Sequence, residues 1–180
     1  EIYQCDWSSD VCSSDLIDAL RLLQGKLKIG LLIVGDGPQR ETILENLNEL
    51  NSTQVKFVGF QNQSELSQYY VLADALIVPS KKEPWGLVVN EAMANGTPVI
   101  ASDCVGSAHD LIEEGKTGYL FESKNPQALA NKILLFFKQF SKDGFSEQYI
   151  KAKASRYSIE NAAQGFKAAL QFVRSEEHTS

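Results

Sequence analysis

The chain has 180 residues, 17 of them basic and 23 acidic, for a formal net charge of −6. The basic residues form no dense block, which excludes an electrostatic nucleic-acid footprint. No apolar run approaches the roughly 18 residues that a membrane span needs, and the length suits one domain with a sizeable core.

In chain order, the first segment is anomalous. Residues 174–180 back-translate as AGA TCG GAA GAG CAC ACG TCT. The reverse complement, shifted by one base, translates as Asp10-Val11-Cys12-Ser13-Ser14-Asp15-Leu16. Two ends of a natural protein have no physical reason to be antisense to each other, and residues 6–16 resemble a translated sequencing adapter. Residues 1–16 and 174–180 are therefore expected to be artefacts outside the fold, with the domain over 17–173 and truncated at its start. Within that range 17 acidic and 16 basic residues remain, so its net charge is about −1. Cys104 and His109 are its only thiol and imidazole, too few for a disulfide framework or a structural zinc site. Cys104 is expected to be a small buried apolar residue.

Residues 17–23 carry apolar side chains at helical spacing. The run 29–34 is apolar throughout and stops at Gly35, as suits a strand buried on both faces. Residues 40–50 are expected to be helical, with Ile43, Leu44, Leu47 and Leu50 on one side. A strand follows at 55–58, a short helix at 64–70 and a strand at 75–78. Residues 87–95 are expected to be helical and to stop at Gly96, a C′ glycine. Strands are expected at 98–101 and 118–121, and helices at 126–140 and 158–173. In the last of these, Ile159, Ala162, Phe166, Ala169 and Val173 share one stripe. Alternating strands and helices with short turns predict a parallel sheet covered by helices, an α/β doubly wound domain whose ligands bind outside the carboxyl ends of the strands.

The segment 79–102, PSKKEPWGLVVNEAMANGTPVIAS, carries the strongest chemical signal. A strand ends at Pro79, a polar loop carries Glu83, Gly86 turns the backbone into a helix, and Glu91 lies about one turn inside it. The glutamates are eight apart and do not share a helix face, but one before the helix and one within it can face a common cleft. Free N–H groups at Gly86, Leu87 and Val88 would attract a phosphate. A carboxylate offers several acceptor sites in one plane, suited to neighbouring sugar hydroxyls. The bland alternative is that both glutamates are solvated or cap the helix.

This segment resembles the C-terminal domain of GT-B-fold glycosyltransferases of family 4. Their hallmark is two glutamates separated by seven residues, a small-residue helix and a Gly-x-Pro-Val strand, matched here by Glu83, Pro84, Gly86, Glu91, Ala92, Gly96, Pro98 and Val99. The likeness continues at GDGP (35–38), VKFVGF, ADALIVPS, Val105-Gly106, Leu111-Ile112 and GKTGYLF. It implies a Rossmann-like doubly wound sheet forming one half of a GT-B fold. It further implies that Glu91 holds the ribose hydroxyls of a nucleotide and that Glu83 contacts the transferred sugar.

Gly35 and Gly37 stand on a turn that borders the nucleotide or is simply a tight turn. Arg40 replaces the third glycine of a dinucleotide fingerprint and Pro38 starts the helix instead, which disfavours a dehydrogenase. Lys81 and Lys82 could neutralise a diphosphate or be merely solvated. His109 is expected to be structural, Trp85 a packing anchor beside Gly86, and Tyr69, Tyr70, Phe136 and Phe137 core or helix-face residues. No Asp-x-Asp pair occurs in 17–173, so no metal or cofactor is expected. Leaving-group charge would fall to helix N-termini and cationic side chains. The resemblance places the main cations in a glycine-containing segment before residue 17, and an acceptor-binding N-terminal domain before that.

The expected activity is that of a retaining hexosyltransferase using a UDP-, GDP- or ADP-sugar, with a glycan or lipid-linked acceptor. It would be cytoplasmic, at the inner membrane surface as a peripheral protein, and inactive as this fragment alone. A non-catalytic nucleotide-binding module and a nucleotide-sugar epimerase-like domain are the alternatives.

Overall fold

The computed structural model describes residues 3–4, 13–37, 40–50 and 53–177. Its elements are β1 (Tyr3–Gln4), α1 (Ser13–Leu23), β2 (Ile29–Val34), α2 (Arg40–Asn48), β3 (Thr53–Gly59), α3 (Gln63–Leu72) and β4 (Leu76–Val78). They continue with α4 (Leu87–Ala94), β5 (Val99–Ser102), α5 (Gly106–Leu111), β6 (Gly118–Phe121), α6 (Pro126–Phe140), α7 (Glu147–Ser155) and α8 (Ile159–Glu177). Residues 5–12, which hold most of the adapter-like run, lie outside the described residues, as do Pro38 and residues 178–180. The expected domain start at Ile17 falls inside α1, where Asp15 and Leu16 are already buried, and Tyr3–Gln4, in the segment expected to lie outside the fold, form β1 and pair with β2.

Every described strand pairing is parallel: β2 joins β1 to β3, and β5 joins β4 to β6. Because β1 lies beside β4, the two three-stranded sheets abut in the order β3-β2-β1-β4-β5-β6. This is the order of doubly wound dinucleotide-binding folds. The chain reverses direction across the sheet between β1 and β4, so the crevice outside their carboxyl ends is where ligands bind.

The unbroken apolar strands follow from burial on both faces, since successive side chains point to opposite sides. Leu31, Ile33, Ile77 and Ile100 meet α1, α2 and α6 on one face. Leu76, Val78, Val99 and Ala101 meet α4, α5 and α7 on the other. Each fully buried Leu, Ile or Val contributes about 1.5–3 kcal/mol.

Helix ends obey local chemistry. Gly96 takes φ +88°; its N–H bonds Met93 O and the Thr97 N–H bonds Ala92 O, both at 3.0 Å, the double bond of a Schellman stop. Asn125 caps α6 by accepting from Ala128 N at 2.9 Å, with Pro126 as its first residue.

Helix α7 is an addition to the sequence-based expectation: it buries only Ile150 and Ala154, too few to generate a legible period. The helix expected to begin near His109 is the six-residue α5. The predicted helix at the chain's end is present as α8. Its stripe has no cover among the described residues: Ile159 is 85% exposed and Phe166 69%. No described helix is long and apolar enough to cross a membrane.

Candidate functional site

Strand β4 delivers the loop 79–86 to the carboxyl edge of the sheet, beside the switch point. Gly86, the N-cap of α4, has φ +85° and ψ 68°, the left-handed region that favours glycine. A Cβ there would also lie 2.8 Å from Val105 Cγ1 and 3.2 Å from Glu83 Cγ. The turn therefore needs glycine twice over.

The loop is laced to the β5–α5 turn by main-chain bonds. Glu83 N–H donates to Cys104 O at 3.2 Å, Gly106 N–H to Glu83 O at 3.0 Å, and Ser107 N–H to Trp85 O at 2.8 Å. The Ser107 hydroxyl donates to Gly86 O at 3.3 Å, and the Ser102 hydroxyl donates to Ser80 O. Gly106 permits this approach, because a Cβ there would stand 2.1 Å from Pro84 O. The Glu83 backbone is thus fixed, while its half-buried side chain lines a cavity of about 330 Å³ with Val78, Ser80, Trp85, Gly86, Leu87 and Val88. Leu87 and Val88 are the first two residues of α4, whose N–H groups precede the first intrahelical bond, from Val89 N–H to Gly86 O at 3.0 Å. The cavity thus combines a carboxylate with an anion-favouring helix end.

Glu91 sits one turn further along α4, on the flank facing α3. Tyr70 Oη donates to its Oε2 at 2.9 Å, and its carbonyl accepts from Asn95 Nδ2 at 2.8 Å. It does not line the 330 Å³ cavity, so the two glutamates flank α4's first turns from different sides rather than sharing that cavity.

Gly35 and Gly37 follow β2 on the same edge, also outside this cavity. Gly35, at φ +130°, donates its N–H to Gly59 O at 2.9 Å and closes β2 onto β3. The Gly37 N–H donates to Asp36 Oδ1 at 2.9 Å. Lys81 reaches back to α1, with Nζ 3.2 Å from Ser14 Oγ and 3.7 Å from Asp15 Oδ1, whereas Lys82 is exposed.

His109 Nε2 lies 2.8 Å from Asp103 O. A carbonyl only accepts, so Nε2 carries the proton and the ring is tied to the backbone, the structural role expected of it. Trp85 is exposed and lines the cavity rather than being packed away; its Nε1 donates to Asn90 Oδ1 at 3.1 Å, and its ring lies 6.3 Å from that of Tyr157 just before α8. Cys104 requires a correction. It is exposed, because the turn after β5 directs its carbonyl to Glu83 and its side chain outward. Tyr70, Gly106 and Ser107 shape the site without a sequence signal of their own, apart from the Val105-Gly106 pair.

Among the described residues no three His, Cys, Asp or Glu side chains converge as a metal site. A larger hollow of about 560 Å³ lies on the β2–β3 face against Leu32, Val55, Val58, Tyr69 and Leu72. It is mostly apolar and sits on the sheet face rather than at its carboxyl edge, so it is not the candidate site.

Comparison with known proteins identifies the family. The family model for glycosyl transferases group 1 matches residues 13–164. D-inositol 3-phosphate glycosyltransferase of Corynebacterium urealyticum is 36% identical over 132 residues, covering 72% of this chain and 31% of that protein. Glycogen synthase of Thermus thermophilus is 33% identical over 147 residues, covering 82% of this chain and 32% of that protein. HepE of Anabaena, solved in complex with UDP-glucose, superposes with a TM-score of 0.75 at 28% identity, over 94% of this chain and 48% of that one. The chain thus spans about a third of the length of these curated relatives. The solved neighbours are GT-B glycosyltransferases, so the doubly wound sheet is one half of that fold. By family match, identity and strand order, the chain belongs to the glycosyl transferases group 1.

Proposed function

We propose that this chain is the donor-binding half of a retaining family 4 hexosyltransferase, which passes a sugar from a nucleotide diphospho-sugar to a glycan or lipid-linked acceptor. The observation that carries the proposal is the arrangement at α4. A carboxylate stands before the helix, a left-handed glycine opens it, Leu87 and Val88 of its first turn line the cavity, and a second carboxylate follows one turn in. All of this lies beside the switch point of the sheet. HepE, solved with UDP-glucose, supports a nucleotide sugar as the donor.

In this reading the diphosphate meets the N–H groups of Leu87 and Val88 and the positive end of the α4 dipole, with Lys82 adding positive charge, while Lys81 is held by Asp15 of α1. Glu91 grips the ribose hydroxyls, Gly35 and Gly37 border the nucleotide, and Glu83 contacts the transferred sugar. Leaving-group charge is met by these preorganised dipoles and cations, and no resident metal or cofactor enters the scheme. The acceptor binds on an N-terminal domain of the same protein. Supporting this are the length of the relatives and the uncovered stripe of α8. Closure of the two halves would align the acceptor hydroxyl and exclude water. The complete protein is placed in the cytoplasm as a peripheral protein at the inner membrane surface.

Steady-state kinetics and nucleoside diphosphate titration on the full-length protein test the roles. Glu83→Ala should lower turnover by about a hundredfold or more with nearly unchanged nucleoside diphosphate affinity, as for contacts that act in the transition state. Glu91→Ala should weaken that affinity about tenfold or more, the loss of a charged hydrogen-bonded contact of about 1.5–3 kcal/mol. Equal losses of turnover and affinity in Glu83→Ala would overturn this division. Absence of turnover with every UDP-, GDP- and ADP-sugar would leave only a binding module.

A further inference from the structure

Glu91 is not a free side chain on the helix surface. Tyr70, at the end of α3, donates its phenolic hydrogen to Glu91 Oε2 at 2.9 Å. Tyr70 is 2% exposed, and its ring belongs to the core that contains Leu76, Val89 and Met93. Its backbone is anchored separately, since its carbonyl accepts from Thr97 Oγ1 at 2.7 Å and from Ala73 N at 3.1 Å. One turn away, Ser67 Oγ donates to Asn95 Oδ1 at 2.6 Å, and Asn95 Nδ2 donates to Glu91 O at 2.8 Å. These bonds set the distance between α3 and α4. The hydroxyl that meets Glu91 therefore has a position fixed by core packing.

A half-exposed glutamate loses rotamer freedom when it grips a ligand, and that loss subtracts from affinity. A hydrogen bond from a fixed donor removes part of the loss before the ligand arrives. A carboxylate has about four acceptor sites, so one phenol leaves capacity for two neighbouring hydroxyls.

We propose that Tyr70 is the positioning residue for Glu91, orienting its carboxylate toward the ribose 2′- and 3′-hydroxyls of the donor nucleotide. This rests on the assignment of Glu91 to the ribose made above. Because the ring itself stays buried beneath α4, removing the hydroxyl alone separates positioning from packing.

The experiment is isothermal titration of the full-length protein with UDP, GDP and ADP, followed by the 2′,3′-dideoxy form of whichever binds. Tyr70→Phe should weaken the ribonucleotide about three- to tenfold. It should leave the dideoxy form unchanged and add nothing in a Glu91→Ala background. Equal weakening of both forms would mean a merely structural role and overturn the proposal. An unchanged ribonucleotide affinity in Tyr70→Phe, alongside a loss in Glu91→Ala, would also overturn it while leaving the ribose assignment standing. If Glu91→Ala changes nothing, or none of the three nucleotides binds, the assignment itself falls. Should Tyr70→Phe fail to fold by circular dichroism, 3-fluorotyrosine at position 70 keeps ring and hydroxyl but strengthens the donor. A ratio of ribo to dideoxy affinity that does not move with it overturns the proposal.

Discussion

Gly106 imposes the tightest steric condition at the site. A Cβ at this position would lie 2.1 Å from Pro84 O and 3.0 Å from Pro84 C. Both are backbone atoms, which have no rotamer to escape into. Gly106→Ala must therefore push the loop carrying Glu83 away from the β5–α5 turn, breaking the bond from Gly106 N–H to Glu83 O. Overpacking of this kind costs about 1–3 kcal/mol, or a melting shift of several degrees at this size, about 2–4 °C per kcal/mol. Turnover of the full-length protein should fall about tenfold or more, since displacements near 1 Å are felt at a reacting centre. Nucleoside diphosphate affinity should fall less, because Glu91 is held from the α3 side. Full turnover in Gly106→Ala would mean that this lacing does not position Glu83. Gly86 was legible in sequence as the turn into a helix, and Glu83 and Glu91 as candidate site residues through the resemblance carried by segment 79–102, since two carboxylates at that spacing also suit a solvated or capping role. Gly106 was legible only as part of a resemblance, because its necessity comes from Pro84, 22 positions earlier.

At the scale of elements, α7 shows how charge seats a helix that has little apolar surface. Lys153 Nζ lies 2.8 Å from Glu113 Oε1, and Tyr149 Oη donates to Glu113 Oε2 at 2.8 Å. Lys116 approaches the same oxygen at 3.4 Å. The hydrogen bond from Lys153, followed by that from Tyr149, pulls the Glu113 carboxyl down to about 2. A carboxyl depressed in the folded state stabilises the fold above its unfolded value, here 4.5, and loses that contribution as pH falls toward the folded value. The melting temperatures of wild type and Glu113→Gln should therefore differ at neutral pH and converge between about pH 4.5 and 2. The groups are near the surface, so the gap should shrink with salt. A gap that persists unchanged at pH 2 would show that Glu113 acts through packing instead. Nothing in the sequence announced this contact, because Tyr149 and Lys153 meet Glu113 only after β6 and α6 have intervened.

At the scale of the whole molecule, α8 presents an apolar stripe that no described residue covers. Its stripe carries Phe166 at 69% exposure, Leu170 at 51% and Val173 at 55%. Three large apolar residues on one exposed face mark an interaction surface, and the proposal above assigns it to the rest of the protein. Phe166→Asp should leave the melting temperature of the 180-residue chain within about 2 °C, since exposed substitutions usually change stability by less than ~0.5 kcal/mol. The same change in the full-length protein should lower both melting temperature and turnover, checked by scanning calorimetry and kinetics. An equal response in both proteins would mean that α8 packs on this half alone. The 180-residue chain by itself should transfer no sugar, because the acceptor hydroxyl has nothing to hold it. Transfer by this chain alone would defeat the two-domain reading.

Sequence alone determined the elements whose signal is local. The apolar runs of β2, β4 and β5 state burial on two faces, Gly96 states a helix stop, and Gly86 states the turn into α4. It also determined the fold class, since strand–helix alternation admits few topologies. Only the tertiary structure decided that β1 lies beside β4 and so where the crevice falls. It alone separated Glu83, in the cavity, from Glu91, against α3. It turned Cys104 outward and left the stripe of α8 uncovered among the described residues. The physical reason is common to all four: periodicity reports which face of an element is apolar, whereas the neighbour that meets that face is chosen by chain crossings many residues away.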